Sequence, residues 1–382
     1  MKVRLGDYIQ EYSVRNKNCE DIPVYSVTNT QGFCSDYFGK EVASKDKSTY
    51  KIVPKGYFAY NPSRINVGSV DWQRNEEKVI VSPLYNVFGV SDKLERQYLY
   101  YCLKSDVTLQ YIKAVATGSV RDNLKLSMLY DYKINLPDIK VQREIARKLD
   151  IVQKIICVRK QELELLDQLI KARFVEMFGD PDINPMGWDI VSIGNVVLSS
   201  EAGWSGNGTQ RKKQPGEIAV LKVSAVTKGY FIPDECKVLD DQANIKKYVF
   251  PQKGDLLFSR ANTREMVGAT AIITEDYPEH ILPDKLWKIR FTENSNVYYM
   301  KHILSSKSIR DKFSAESTGT SGSMFNVSME KFRAIQIPLP PVALQEQFEA
   351  FIKQIDKSKF AIQKSLDETQ LLFDSLMQKY FG

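Results

Sequence analysis

Between residues 145 and 177 apolar side chains recur at alternating steps of four and three. Ile145, Leu149, Val152, Ile156, Leu163, Leu166, Ile170 and Met177 keep this spacing, broken only by Arg159 and Arg173. The stripe returns 203 positions later in Phe348, Ile352, Ile355, Ile362, Leu366, Phe373, Leu376 and Tyr380, broken by Lys359 and Thr369. A 3.5-residue period held for nearly five heptads without Gly or Pro predicts a long helix packed on another helix. Each buried aliphatic contributes about 1.5–3 kcal/mol gross, against about 1–3 kcal/mol for an unsatisfied polar exception. The two stripes are therefore expected to pair within the chain. Pro137-Asp138 and Pro340-Pro341 suit helix starts, and Gly179 and Gly382 suit left-handed caps.

Residues 1–133 and 180–336 are patterned differently. Short β-type runs such as KVIVSPLYNVFGV (Lys78 to Val90), EIAVLKVSAV (Glu217 to Val226) and GATAIITEDY (Gly268 to Tyr277) are broken by Gly, Pro, Asn and Asp. Each part then carries a helical stretch, expected around Leu94–Ala116 and Val297–Ala315. Mixed α+β heads on long helices follow.

The helices and their approaches are written twice. INLPDIKVQREI (Ile134 to Ile145) aligns with IPLPPVALQEQF (Ile337 to Phe348), and the same offset sets Asn123 on Asn326, Gln142 on Gln345, and Phe178-Gly179 on Phe381-Gly382. Further upstream the offset drifts, pairing KGYFAY with KGDLLF at Lys55 and Lys253, and LGDY with IGNV at Leu5 and Ile193. Two diverged tandem copies of one unit are expected. The division is 1–137 head, 138–179 helix, 180–339 head and 340–382 helix. Because each head precedes its own helix, antiparallel pairing is expected, with the heads at opposite ends and related by a pseudo-two-fold axis. Such an arrangement matches the pseudo-symmetry of duplex DNA, whose grooves repeat every ~34 Å.

Composition narrows this only a little. The net charge of +6 over 382 residues is too small to identify a nucleic-acid protein by its overall field, so phosphate contacts would need local clusters such as Arg211, Lys212 and Lys213. Five cysteines without a CxxC pair encode neither a disulfide framework nor a zinc ribbon. With no charged amino-terminal start leading into an apolar segment, and no run of the ~18 apolar residues a bilayer crossing needs, the expected location is the cytoplasm.

The segments TGSVRDN and INLPDIKVQREI, their partners TGTSGSMFN and IPLPPVALQEQ, and a heptad helix ending in Phe-Gly after each pair resemble the specificity subunit of type I restriction-modification systems. Copy one departs from the pattern in reading Leu136-Pro137-Asp138 where copy two has Pro340-Pro341. The resemblance implies two target recognition domains, each reading half of a bipartite site on double-stranded DNA. It implies that the paired helices separate them and dock two modification (methyltransferase) subunits. It also implies restriction subunits as partners, with S-adenosylmethionine, ATP and Mg belonging to those partners and no cofactor in this chain.

That reading requires catalytic motifs to be missing, which the residues bear out. No Asn/Asp-Pro-Pro-aromatic motif occurs, NPSR at Asn61 lacking the second proline and the aromatic. No G-x-x-x-x-G-K-[ST] phosphate loop occurs. In PDECK (Pro233 to Lys237) the two carboxylates adjoin, with no intervening strand to bring them around one metal ion. Two histidines, His280 and His302, are too few for most zinc or triad designs. The glycines of GWSGNG (from Gly203) suit a flexible loop. A methyltransferase or nuclease in its own right is thereby disfavoured, and the competing reading is a coiled-coil scaffold with two protein-binding heads.

Base reading needs Arg, Lys, Asn, Gln, Ser or Thr on exposed loops. Ser63, Arg64 and Asn66 follow one β-type run, and Arg260, Asn262 and Arg264 follow its counterpart. The Gly-rich loops add Thr117, Ser119 and Arg121, and Thr320, Ser321 and Ser323, whose backbone amides could grip phosphate. Asn123 and Asn326 either join them or cap the helix that follows.

Overall fold

A computed structural model describes residues 2–35, 46–116, 123–316 and 325–382. The chain forms two compact units, Met1–Gln161 with Ile362–Gly382, and Glu162–Ala361.

In the first unit Lys2–Arg4 pairs antiparallel with Lys133–Asn135, just ahead of the first long helix, Ile139–Phe178. A four-stranded antiparallel sheet runs Ile9–Glu11, Asn86–Val90, Phe58–Tyr60, Val70–Trp72. Its inner face contributes Phe58 and Phe88, stacked at 5.1 Å, to a core shared with Leu99, Leu103, Ile145 and Leu149.

The second unit repeats the plan. Asp189–Ser192 pairs with Gln336–Leu339, ahead of the second long helix, Val342–Phe381. Its antiparallel sheet runs Val197–Ala202, Leu286–Phe291, Leu256–Ser259, Thr270–Ile272, the same strand order as in the first unit. Duplication is thus visible in topology where sequence similarity has faded. A further sheet, Gly208–Thr209, Cys236–Leu239, Ala219–Leu221 and His280–Ile281, belongs to this unit.

Within each unit the long helices run antiparallel. In the first, Ile145 and Leu149 from the start of one helix share a core with Phe373 and Leu376 near the end of the other. In the second, Ile170, Phe174 and Phe178 from an end meet Phe348 and Ile352 from a start. The helix limits agree with the expected signals, and Gly179 takes the left-handed conformation at φ +78°.

Two elements differ from expectation. Each single helix foreseen before the Gly-rich loop is two: Arg96–Lys104 and Asp106–Val115, then Val297–Ser305 and Lys307–Glu316. Ser105 and Ser306 interrupt them in extended backbone, their hydroxyls donating to Cys102 O (2.8 Å) and Ile303 O (2.7 Å). A serine that satisfies the last carbonyls itself competes with helix continuation. The GWSGNG loop is packed rather than free: Trp204 N donates to Leu282 O at 2.9 Å, and a Cβ on Gly203 would lie 1.8 Å from that oxygen.

Candidate nucleic-acid interface

The repeated glutamine explains how each head is fixed to its helix. Gln142 is fully buried; its amide donates to Lys93 O (3.0 Å) and Pro137 O (2.8 Å) and accepts from Glu95 N (2.8 Å). Gln345, equally buried, donates to Asn294 O (3.2 Å) and Pro340 O (2.8 Å) and accepts from Asn296 N (2.8 Å). A second recurrent bond joins Tyr98 OH to Asn135 O (2.8 Å) and Tyr299 OH to Pro338 O (2.5 Å). Burial pushes both phenols well above their ordinary range, so they stay protonated donors. Tyr98 also meets Phe381 at 5.1 Å and Tyr299 meets Phe178 at 4.9 Å. Each Phe-Gly terminus therefore packs on the head of the other copy.

On these scaffolds the structure brings two groups of candidate residues together. In the first unit Leu124 N donates to Pro62 O at 3.1 Å, and Leu124 O accepts from Tyr60 OH (3.1 Å) and Asn86 Nδ2 (3.4 Å). The 61–66 turn and the segment leaving the Gly-rich loop are thereby stitched side by side. In the second unit Ala261-Asn262 pairs with Phe325-Asn326, and Val327 N donates to Arg260 O at 2.9 Å. Neither asparagine caps a helix: Lys125 and Ser328 occupy those positions. Thr117, Ser119, Arg121, Thr320, Ser321 and Ser323 lie outside the described residues.

The remaining candidates differ in availability. Arg64 is exposed and Asn66 half-buried. Ser63 Oγ donates to Asn61 Oδ1 (3.0 Å), which also accepts from Ser63 N (3.1 Å). The NPSR stretch is therefore a side-chain-closed turn. Arg260 is engaged by Asp284 through its carbonyl (2.8 Å) and carboxylate (3.6 Å). Asn262 Nδ2 lies 3.5 Å from Ser259 Oγ. Arg264 is exposed and lines a cavity of about 560 Å³ with Lys171, Lys307 and Arg310. Arg211 forks onto Glu217 at 2.6 and 2.8 Å, holding that carboxyl down at about 2. Lys212 beside it is exposed.

The helix residues on the paired stripes, Val152, Ile156, Leu163, Leu166, Ile355, Ile362 and Leu366 among them, are all buried or half-buried. One residue ahead of this stripe lies another that pattern reading missed. Ile151, Ile155, Val158, Leu165 and Leu169 are exposed, Leu165 at 61%. The signal was present as a second heptad register beside the first.

Among the described residues no group of three or more His, Cys, Asp or Glu is arranged to hold a metal ion, and no helix is long and apolar enough to cross a membrane. Glu235 of PDECK instead accepts from Lys222 (2.7 Å) and Ser224 (2.6 Å).

The family model for the type I restriction modification DNA specificity domain matches residues 5–168 and 185–369. The specificity subunit of the Escherichia coli type I restriction enzyme EcoEI is 29% identical over 201 residues, covering 50% of this chain and 33% of that protein. The MjaIX specificity subunit of Methanocaldococcus jannaschii is 27% identical over 199 residues, 48% of this chain and 45% of that protein. The EcoKI subunit of E. coli K12 is 22% identical, covering 74% of this chain and 63% of its own. The chain thus spans between a third and just under two thirds of these relatives' lengths. Among solved structures, a type I restriction-modification S subunit from M. genitalium superposes with a TM-score of 0.60 at 13% identity, covering 100% of this chain and 96% of that one. A chain from a study of type I R-M complex assembly gives 0.55 at 17% identity, covering 100% and 97%. These likenesses extend the α+β, two-head, paired-helix fold to the whole chain.

Proposed function

The chain belongs to the type I restriction-modification DNA specificity family, and from that premise we propose that it is the non-catalytic subunit that selects the DNA sequence for such a complex. Recognition domains at 1–137 and 180–339 each read one half of a bipartite site. Segments 138–179 and 340–382 act as spacers and dock two methyltransferase subunits, with restriction subunits joining the assembly in the cytoplasm. S-adenosylmethionine, ATP and Mg serve those partners.

The observation that carries this reading is the same stitch in both copies, Leu124 to Pro62 and Val327 to Arg260, which gathers polar loop residues on two separately built heads. The uncovered stripe of Ile151, Ile155, Val158, Leu165 and Leu169 supports partner docking, since apolar rows of this kind mark interaction surfaces. A protein-binding scaffold would also use such a stripe. The two readings separate on salt: phosphate contacts release counterions, so DNA affinity should fall steeply as salt rises. Selection from duplex libraries by the chain with its methyltransferase should return two separated words; a single contiguous word would refute the bipartite reading.

A further inference from the structure

Three turns of the first unit converge on a groove of about 500 Å³. One is the tip of the hairpin between Ser26–Thr28 and Gly32–Cys34, another the Asn61–Arg64 turn, and the third the Ser82–Tyr85 turn. Each is held by hydrogen bonds, the Asn61 turn by those of Ser63 to Asn61 Oδ1. Gly32 sits at φ +64°, where a Cβ would lie 1.9 Å from the Asp71 carboxylate that accepts from Phe33 N (3.2 Å). Lys104 Nζ donates to Asn29 O at 2.9 Å, and Lys51 Nζ donates to Tyr85 O at 2.6 Å. Tyr85 N closes its own turn on Ser82 O at 3.0 Å, leaving Leu84 79% exposed at the rim.

The chemistry of the lining is unusual for this chain. Among its described lining residues there is no Asp, Glu or Lys, and Arg64 is the one charge, the Lys51 and Lys104 ammoniums being spent on the backbone carbonyls of Tyr85 and Asn29. Four other clefts include carboxylates: Asp7 and Glu11, Asp106 and Asp374, Asp167 and Asp356, or Glu265 and Asp311. A carboxylate repels an approaching phosphate chain, and a backbone-gripping track would be rich in Lys and Arg. This groove is neither. Its groups are those that read base edges: a guanidinium fork, the exposed amide of Asn29, phenols, and an apolar tip at Leu84 suited to a thymine methyl. Ser63 has its proton engaged by Asn61 and so presents lone pairs, which suit an adenine or cytosine amino group.

We propose that this groove, through Tyr25, Asn29, Ser63, Arg64, Leu84 and Tyr85, is the base-reading surface of the first recognition domain, an assignment that rests on the DNA-reading function proposed above. The partners are base edges of duplex DNA within one half of the site. Preorganised turns suit such readout, because contact geometry must be held closely for discrimination.

The test uses the full chain assembled with its methyltransferase subunits and a randomised duplex library, with Arg64→Gln, Asn29→Ser and Leu84→Ser compared with wild type and their melting followed in parallel. These side chains are exposed, so melting should be unchanged. Wild type should select a two-part word. Each variant should keep the second part and lose roughly ten- to a hundredfold of discrimination at a position in the first. Retention of the full word by all three variants would overturn the groove while leaving DNA reading intact. A uniform fall in binding to every sequence would also overturn it, by marking phosphate contact alone. Failure of wild type to select any word would remove the parent reading, and this one with it.

Discussion

Gln142 and Gln345 show how one side chain can determine the set of a domain. Each satisfies two carbonyls and one amide in a site closed to water. Gln345→Ala would strand all three groups, and a loss of about 3 kcal/mol is expected, read as a lowered denaturant midpoint; an unchanged midpoint would mean that water replaces the amide. His302 is another sensitive residue. Burial beside Phe174 and Phe348, with Lys301 and Lys171 near, pushes its imidazole from 6.5 down to about 3. The unfolded chain takes up the proton first as pH falls. Stability is therefore indifferent to His302 above about 6.5 and declines as pH drops from there toward 3. His302→Phe should flatten that part of the melting-versus-pH curve, and an identical slope would exclude the group.

At the scale of elements, the long helices carry two stripes with different fates. The paired stripe is covered along both helices, while its neighbour leaves Ile151, Ile155, Val158, Leu165 and Leu169 exposed. Near the middle of the paired stripe, Lys359 is accommodated by an ion pair with Asp167 at 2.7 Å. Four extra residues after Lys160 advance a helix by ~6 Å and about 40° beyond one turn, carrying the following apolar positions out of register. The expected result is an altered gap between half-sites or failure to assemble with the methyltransferase; an unchanged gap with full activity would mean that the helix is not a spacer. Replacing Ile155 and Val158 with Ser should weaken methyltransferase association at least tenfold with little change in melting, since both are exposed already.

For the molecule as a whole, the repeated plan leads to the expectation that the heads can be exchanged separately. Exchange of residues 180–336 for another head should alter one half of the selected word and preserve the other, as scored by library selection. Alteration of both halves would contradict separate reading. The two heads already differ in what they present. Arg64 is exposed in one, whereas Arg260 is held by Asp284 in the other.

Periodicity and duplication were readable directly from the chain. Heptad spacing dictates which helix faces pair, and an alignment of a phrase with its copy exposes the repeat, because both depend on local order along the backbone. The α+β heads, the helix starts and the Gly179 cap were legible for the same reason. The Ser105 and Ser306 breaks were not, since a serine can bond a preceding carbonyl either inside a helix or at its end, and the extended backbone that distinguishes the two cases is set by the tertiary structure. Nor could spacing tell that Arg64 stays open while Arg211 is closed by Glu217. The groove joining Asn29, Ser63 and Leu84 had no linear signature, its three turns being brought together by hydrogen bonds between residues far apart in the chain. Long-range contacts form only when the core has been buried, so folding alone decided which of many polar loops face a common space.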